Sequence, residues 1–353
     1  MVPRVLQPGR GRGSTRLEGV GRRLPRPPKG TLGGGARLRT GPACPWRALC
    51  GAVASVASAA LLLGAALLSG CASPGHTPAG LRLVNWNTYH LFDHRAHLAP
   101  ATEWLAQGEF QVAALQELVQ TTEEELLRLA SAWSHPHAVL HKESGYAVGL
   151  TSTAPIEVVE RRVEGFHHGF LHARTHGLDL FVVHFWPGKI HEAELVAERA
   201  ASLARAGGQV LVLGDFNGEI RSDEPWLREQ GTLGEVVEGQ RVFDFRITDA
   251  FLSRGLIDLI HQHDPEARYT FGSPALIPRW SPDMEHVQAK RRRIDFAMAS
   301  PSVAAVVRGA RVETDDASVG RWSDHYPLLI DLARPWGPRE APARASRTRT
   351  QSP

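Results

Sequence analysis

Cysteine is nearly missing from this sequence. Three occur in 353 residues, Cys44, Cys50 and Cys71, and none follows. The long C-terminal region therefore has no disulfide, no cysteine metal cluster and no thiol nucleophile. An HExxH zinc motif is absent too. So is an excess of basic charge where it would count. The net charge is +3, but residues 1–70 hold 11 Lys+Arg against one acidic residue, Glu18. The remainder has 29 basic and 36 acidic residues, a net charge of −7. Such a balance argues against broad electrostatic attraction to nucleic acid, but not against gripping a few phosphates through a metal. No internal repeat is visible. What is present, 42% hydrophobic and 22% charged residues, suits a globular protein with a large core.

The N-terminus reads as an address. Residues 1–45 are rich in Arg, Gly and Pro and are expected to be disordered. Arg47 precedes an apolar run from Ala48 to Gly70, which ends in Leu68-Ser69-Gly70-Cys71. A basic flank, an apolar stretch and small residues make a secretory signal. Its last four residues resemble the bacterial lipobox, which implies cleavage before Cys71 and lipidation of that cysteine. The run is also long enough for an uncleaved membrane anchor. Both readings export the rest of the chain. Ala72 resembles outer-membrane sorting in a Gram-negative host. The expected organisation is a leader and signal over 1–71, a tether over 72–80, a catalytic domain over 81–333 and a disordered tail over 334–353.

From Leu81 onward, short apolar runs alternate with helical patterns. Strands are predicted at Leu81–Trp86, Tyr146–Leu150, Leu178–Phe185, Gln209–Leu213, Arg293–Ala299 and Leu328–Leu332. Helices are predicted at Glu123–Ala130 and Glu192–Ala206. The alternation argues for α/β architecture, with sheets covered by helices.

Polar residues cluster at the ends of these strands, where a rigid sheet holds functional loops. The stretches are VNWN (84–87), QE (116–117), GYAVGLTSTAPI (145–156), VVHFWP (182–187), GDFN (214–217), RIDFAM (293–298) and SDHYPL (323–328). Singly, each has a bland reading: Glu117 a solvated charge, His184 a core histidine, Asp295 a turn cap. Together and in this order they resemble the endonuclease/exonuclease/phosphatase superfamily. Deoxyribonuclease I, abasic-site endonucleases, neutral sphingomyelinases and inositol-polyphosphate 5-phosphatases belong to it. The resemblance covers nearly all of residues 81–332. It implies a four-layer α/β sandwich, in which two packed mixed β-sheets are flanked by helices.

Phosphodiesters are anionic and resist attack, so catalysis must neutralise charge, create a nucleophile and protonate a leaving group. Glu117 is the candidate metal carboxylate, with Asn87 and Asp324 beside it, either binding or bracing. Mg²⁺ is the expected metal, with Mn²⁺ or Ca²⁺ as alternatives, because such ions take oxygen ligands. The resemblance makes Asp215 the base that orients and deprotonates the attacking water, and Asn217 a group that positions that water or donates to the phosphoryl oxygens. Asp295 would hold His325 cationic toward the phosphate. His184 would donate to the phosphate or protonate the leaving oxygen. Trp186, Lys189, Arg293 and His168 are weaker candidates for substrate contact. The basic run Lys290–Arg293 could hold a phosphate or be a solvated strand entry. His90, His94 and His97 could share a helical face, which is expected to be solvated rather than to bind zinc.

The sequence departs from the abasic-site enzymes at two places. Tyr89 stands where they typically carry a carboxylate, and His184 where they usually carry tyrosine. His184 resembles instead the deoxyribonuclease I, sphingomyelinase and 5-phosphatase branches, so DNA repair is disfavoured. The expected protein is a monomeric, lipid-anchored phosphodiesterase acting on lipid or small-molecule headgroups. A secreted nonspecific nuclease and an anchored binding protein on a dead scaffold are its rivals. Specificity is expected in loops such as 135–145, 221–245 and 261–285.

Overall fold

The apolar runs pair into two sheets in the computed structural model, which describes residues 80–231 and 233–333. Cys71, the expected leader, nearly all of the tether and the tail lie outside the described residues. The chain first lays down β1 (Gly80–Asn87), β2 (Val112–Gln116), β3 (His137–Leu140) and β4 (Gly149–Ser152) in one sheet. It then enters a second sheet with β5 (Glu157–Arg162), β6 (Phe170–Thr175), β7 (Leu178–His184) and β8 (Val210–Asp215). A small separate hairpin, β9 (Glu235–Val237) and β10 (Gln240–Val242), follows. Then β11 (Ile257–Asp258) and β12 (Asp295–Ala299) complete the second sheet, and β13 (Val307–Val312) and β14 (Leu328–Ala333) return to the first. The first sheet runs β13-β14-β1-β2-β4-β3 and the second β11-β12-β8-β7-β6-β5.

Each sheet is mixed, with one parallel pair at its centre: β1 beside β2, and β7 beside β8. Both faces of these strands are covered, which is why VLVL and LFVV read as unbroken apolar runs rather than as alternation. Leu81, Leu83, Val112 and Ala114 from the first sheet meet Leu180, Val182, Leu211 and Leu213 from the second in the core between them. On the outer face of the first sheet, Val84, Trp86, Ala113 and Leu115 pack with α1 (Leu98–Gln107) and α2 (Glu123–Ser131). On the outer face of the second, Phe181, Val183, Val210 and Val212 pack with α3 (Ile190–Arg205). Helix, sheet, sheet, helix: the four-layer sandwich is the observed fold. Each fully buried Leu or Phe contributes roughly 1.5–3 kcal/mol to it.

A local signal is plain in α2, whereas α1 and α3 have no side-chain cap among the described residues. In α2, Thr122 accepts from Glu125 N at 3.1 Å, three glutamates occupy the first turn and Arg128 lies in the last, so cap and charges suit the helix dipole. Strand boundaries moved more. The strand predicted at Tyr146–Leu150 is β4, which starts at Gly149 and leaves Tyr146 in the preceding loop. Arg293 precedes β12 rather than opening it.

One segment departs from the expected helical face. Seven consecutive non-glycine residues, Tyr89 to Arg95, have φ between +46° and +73°. This is a left-handed turn, disfavoured by about 1–2 kcal/mol per residue. The surroundings over-determine it: Leu91 N donates to Glu117 O at 3.0 Å, and Leu91 and Phe92 are buried.

Candidate active site

Register brings the motifs to one edge. Because β1 and β2 are parallel, Asn87 pairs with Gln116 and Glu117 follows beside it. The same logic pairs His184 with Asp215 across β7 and β8. Antiparallel β12 then sets Asp295 opposite Asp215. Antiparallel β14 brings the segment before it, with Asp324 and His325, to the end of β1. Gly214 is required here, since a Cβ at that position would lie 2.0 Å from Val183 O. Asn217 takes the left-handed conformation (φ +46°) that asparagine tolerates, which turns its side chain back over Asp215.

Two hydroxyls lock the frame. Ser323 Oγ donates to Asn87 O at 2.7 Å and accepts from His325 N at 3.1 Å. Thr270 Oγ1 accepts from Ile294 N and Asp295 N at 3.1 and 3.0 Å. His325 Nδ1 donates to Asp295 Oδ2 at 2.8 Å, leaving Nε2 3.8 Å from Asp215 Oδ2 and 3.9 Å from Asp324 Oδ1. Asp215 accepts from Asn217 N at 2.8 Å, from Asn217 Nδ2 at 3.1 Å and from Asn87 Nδ2 at 3.0 Å. His184 Nε2 lies 3.4 Å from Asp215 Oδ2 and 4.0 Å from Glu117 Oε1.

Charge is strongly perturbed. Burial pushes the Asp215 carboxyl up to about 8; Asp295 and Glu117 add to this and His325 opposes it. Burial, with Glu117 and Asp295, raises Asp324 to about 7 against the pull of His325. For His325, burial disfavours the cation, but Asp295, Asp324 and Asp215 outweigh it and raise the pKa to about 10. Burial, then the neighbouring His168, pushes His184 well below its ordinary value, so it is neutral. The site therefore pairs a cationic histidine with a neutral one.

Such crowded carboxylates fit a hard divalent cation. Asp324 Oδ1 is buried without a hydrogen-bond partner among the described residues. Asp215, Asp295 and His325 each offer an atom within 4.8 Å of one another. In that trio Asp295 Oδ2 and His325 Nδ1 are already bonded to each other, and a cationic imidazole is a poor ligand. Oxygens of Glu117 and Asp324 are the better donors. Asn87 turns its amino group to Glu117 Oε1 (3.3 Å) and Asp215, while its oxygen accepts from Tyr89 N at 3.1 Å. Of its two expected roles, this orientation is the bracing one.

The cleft over these groups has a volume of about 500 Å³. Its lining includes Glu117, His184, Asp215, Asn217, Asp324 and His325, and also His168 and Trp186 from the weaker group. His168 stacks on His184 (4.3 Å, 18°), and Trp186, 45% exposed, packs on His167. Two expected contacts are corrected. Lys189 is exposed at the start of α3 and outside the cleft lining. Arg293 is buried and bound to Asp223 (2.8 Å) and Asp258, so it is a core ion pair. The backbone explains the second correction: Lys290 and Arg291 close the turn after the helix at Met284–Gln288, and the chain is extended only from Arg292, which bridges Phe271. Lys290 and Arg292 line the cleft, while Arg291 and Arg293 bond to Asp316 and Asp223.

Sequence reasoning missed several wall residues. Tyr89, Tyr146, Phe271 and Trp280 line the cleft from separate loops, and no spacing links them. Trp280 Nε1 donates to Tyr89 Oη at 2.9 Å, closing one rim. His90, expected to be solvated, sits on Glu117: its N donates to Glu117 Oε2 at 3.1 Å and its Nε2 lies 3.4 Å from the same oxygen.

A four-layer sandwich with carboxylates, amides and histidines gathered at one sheet edge has the construction of a phosphoester hydrolase. The chain belongs to the Endonuclease/Exonuclease/phosphatase family, whose profile matches residues 84–325. No curated protein matches it by sequence. Among solved structures it resembles an AP endonuclease from Archaeoglobus fulgidus (18% identity, 71% of this chain and 99% of that one, TM-score 0.51). It also resembles a 3′ phosphatase from Neisseria bound to product DNA hairpin (20%, 72% and 100%, TM-score 0.53). A 3′–5′ exonuclease from Neisseria meningitidis is similar (18%, 71% and 99%, TM-score 0.54). At these identities the likeness concerns the fold.

Proposed function

We propose that the protein is an exported, membrane-anchored, Mg²⁺-dependent phosphodiesterase that hydrolyses its substrate with an activated water. The observation that carries the chemistry is Asp215, braced by Asn87 and Asn217 between a cationic His325 and a neutral His184. Bound at Glu117 and Asp324, a divalent cation would supply charge neutralisation at the phosphate. Asp215, held by Asn87 and Asn217 and placed beside both histidines, takes the proton of the attacking water. The water oxygen bonds to phosphorus, the bond from phosphorus to the leaving alcohol breaks, and that oxygen takes up a proton from solvent water, while Asp215 later returns its proton to solvent. His325 Nε2 faces the phosphoryl oxygens as a cation, and His184 donates a hydrogen bond to one of them. The lipobox-like LSGC ending at Cys71 supports export and anchoring.

Headgroup diesters are favoured by the acidic charge after residue 70. A nuclease is the second reading, supported by Lys290 and Arg292 in the cleft and by the neighbour that holds a DNA hairpin. The intact set of catalytic groups argues against a dead scaffold. The test is hydrolysis of plasmid DNA and of sphingomyelin, side by side, with Mg²⁺, Mn²⁺ or Ca²⁺ and after chelation. Cleaved lipid with intact DNA supports the first reading, and the reverse supports the second. Full activity after chelation would remove the metal from the mechanism.

A further inference from the structure

We propose that Arg292 forms an anion subsite beside the reaction centre, binding a second phosphate that the substrate carries next to the scissile one; this rests on the phosphoester reading of the site. Arg292 is fixed in place by its backbone. It bridges Phe271, which also bridges His325, and Arg292 O accepts from Thr270 N and Phe271 N at 3.0 and 3.1 Å. The guanidinium lies 4.9 Å over the Phe271 ring, and that ring meets the His325 ring at 5.0 Å. These two steps bound the distance from imidazole to guanidinium at about 10 Å. Arg292 lines both the catalytic cleft and a smaller cavity of about 200 Å³ that shares Pro187 and Asn217 with it. A substrate held at His325 has room to place a neighbouring group at Arg292 on the cleft side; the smaller cavity is also lined by Glu219 and by Asp244, which is bound to Arg246.

The cation lacks a counter-charge. Among the described residues Arg292 has no ion pair, and its one hydrogen bond is Nη1 to Lys290 O at 3.5 Å. Burial pulls its pKa down, while Glu219 and Asp215 act on it without touching it. Other arginines of this region are satisfied: Arg293 by Asp223, Arg221 by Asp249 and Arg246 by Asp244. A half-buried guanidinium with no carboxylate in contact gains when an anion arrives, and phosphate matches its fork of donors. Residues 80–333 carry 24 Lys+Arg and 35 Asp+Glu, a net charge of −11. The overall field therefore repels phosphates, and retention of a second one must come from a local contact of this kind.

The test compares esters differing by one phosphate, with the full-length protein and Mg²⁺. One pair is p-nitrophenyl thymidine 5′-phosphate with and without a 3′-phosphate. The other is glycerophosphoinositol with and without a ring phosphate. The native protein is expected to favour the doubly phosphorylated member of at least one pair by about tenfold or more in kcat/KM, the worth of one charge-assisted hydrogen bond. Arg292→Ala is expected to bring that ratio to within about twofold of one, with Arg292→Lys between them. A preference confined to the nucleoside pair means a strand phosphate; one confined to the inositol pair means a phosphorylated headgroup. No preference in either pair, or a preference that survives Arg292→Ala, overturns the subsite. If the native protein hydrolyses none of the four esters, the subsite is overturned; if plasmid DNA and sphingomyelin stay intact as well, the phosphoester reading itself fails.

Discussion

His325 donates from Nδ1 to Asp295 Oδ2 at 2.8 Å, so its other nitrogen faces Asp215 and Asp324. Asp295 arrives on β12 and His325 just ahead of β14, strands of different sheets. The pair therefore closes the sandwich at its active edge, and against the cost of burial the carboxylates around His325 raise its pKa to about 10. Asp295→Asn keeps the shape and removes the charge. His325 should then titrate closer to its ordinary value, and the activity lost at alkaline pH should set in at lower pH. Turnover should fall at least ~10²-fold, as it should in Asp215→Asn and His325→Ala. Histidine ring shifts followed by NMR, with the pH–rate profile, check this; an unmoved His325 titration would refute it.

Arg293 belongs to stability rather than to substrate binding. Its guanidinium is 1% exposed, between Asp223 and Asp258. Removing the cation leaves two buried carboxylates uncompensated, which costs about 3–5 kcal/mol. Arg293→Met should lower the unfolding free energy by that amount in denaturant titration. A variant of native stability with a raised KM would restore Arg293 to the substrate.

Acid should weaken the fold through His135. The ring is fully buried, with Nε2 2.7 Å from Phe110 O and Nδ1 2.7 Å from Thr151 Oγ1. Phe110 O can only accept, so Nε2 carries the proton; in the neutral ring Nδ1 then accepts from the Thr151 hydroxyl, whose oxygen accepts from Trp133 Nε1. Burial lowers its pKa to about 4. A histidine depressed in the folded state lends stability above its unfolded pKa and loses it as pH falls toward the folded value. The window is about pH 6.5 to 4, and from about pH 7.5 to about pH 5 the loss should be on the order of 2 kcal/mol. His141, His168 and His184 are depressed by burial as well, so the His135 share is the difference between denaturant titrations of the native protein and of His135→Gln at the two pH values. His135→Gln should flatten that part of the slope, and an unchanged slope would reject the assignment.

Much of this was legible in the chain itself. The apolar runs from Leu178 and Gln209 are β7 and β8, because strands buried on both faces must be apolar throughout. The polar residues that end those runs reach the site, because a strand end is where a rigid sheet can present a side chain. Charge excess, cysteine placement and the LSGC signal are likewise properties of order along the chain. The tertiary structure alone decided what depends on direction and neighbours. Composition gives Lys290–Arg293 four equal cations, and only the extended backbone separates Arg292 in the cleft from Arg293 in the core. Histidine spacing suggested a right-handed face from His90 to His97, yet contacts with Glu117 hold a left-handed turn that no local propensity favours. Trp280 and Tyr89 form one rim although 191 residues apart. Local sequence sets which residues can lie at a strand end or be buried. Which of them meet, and which nitrogen of His325 carries the proton toward Asp295, is set by packing between distant segments.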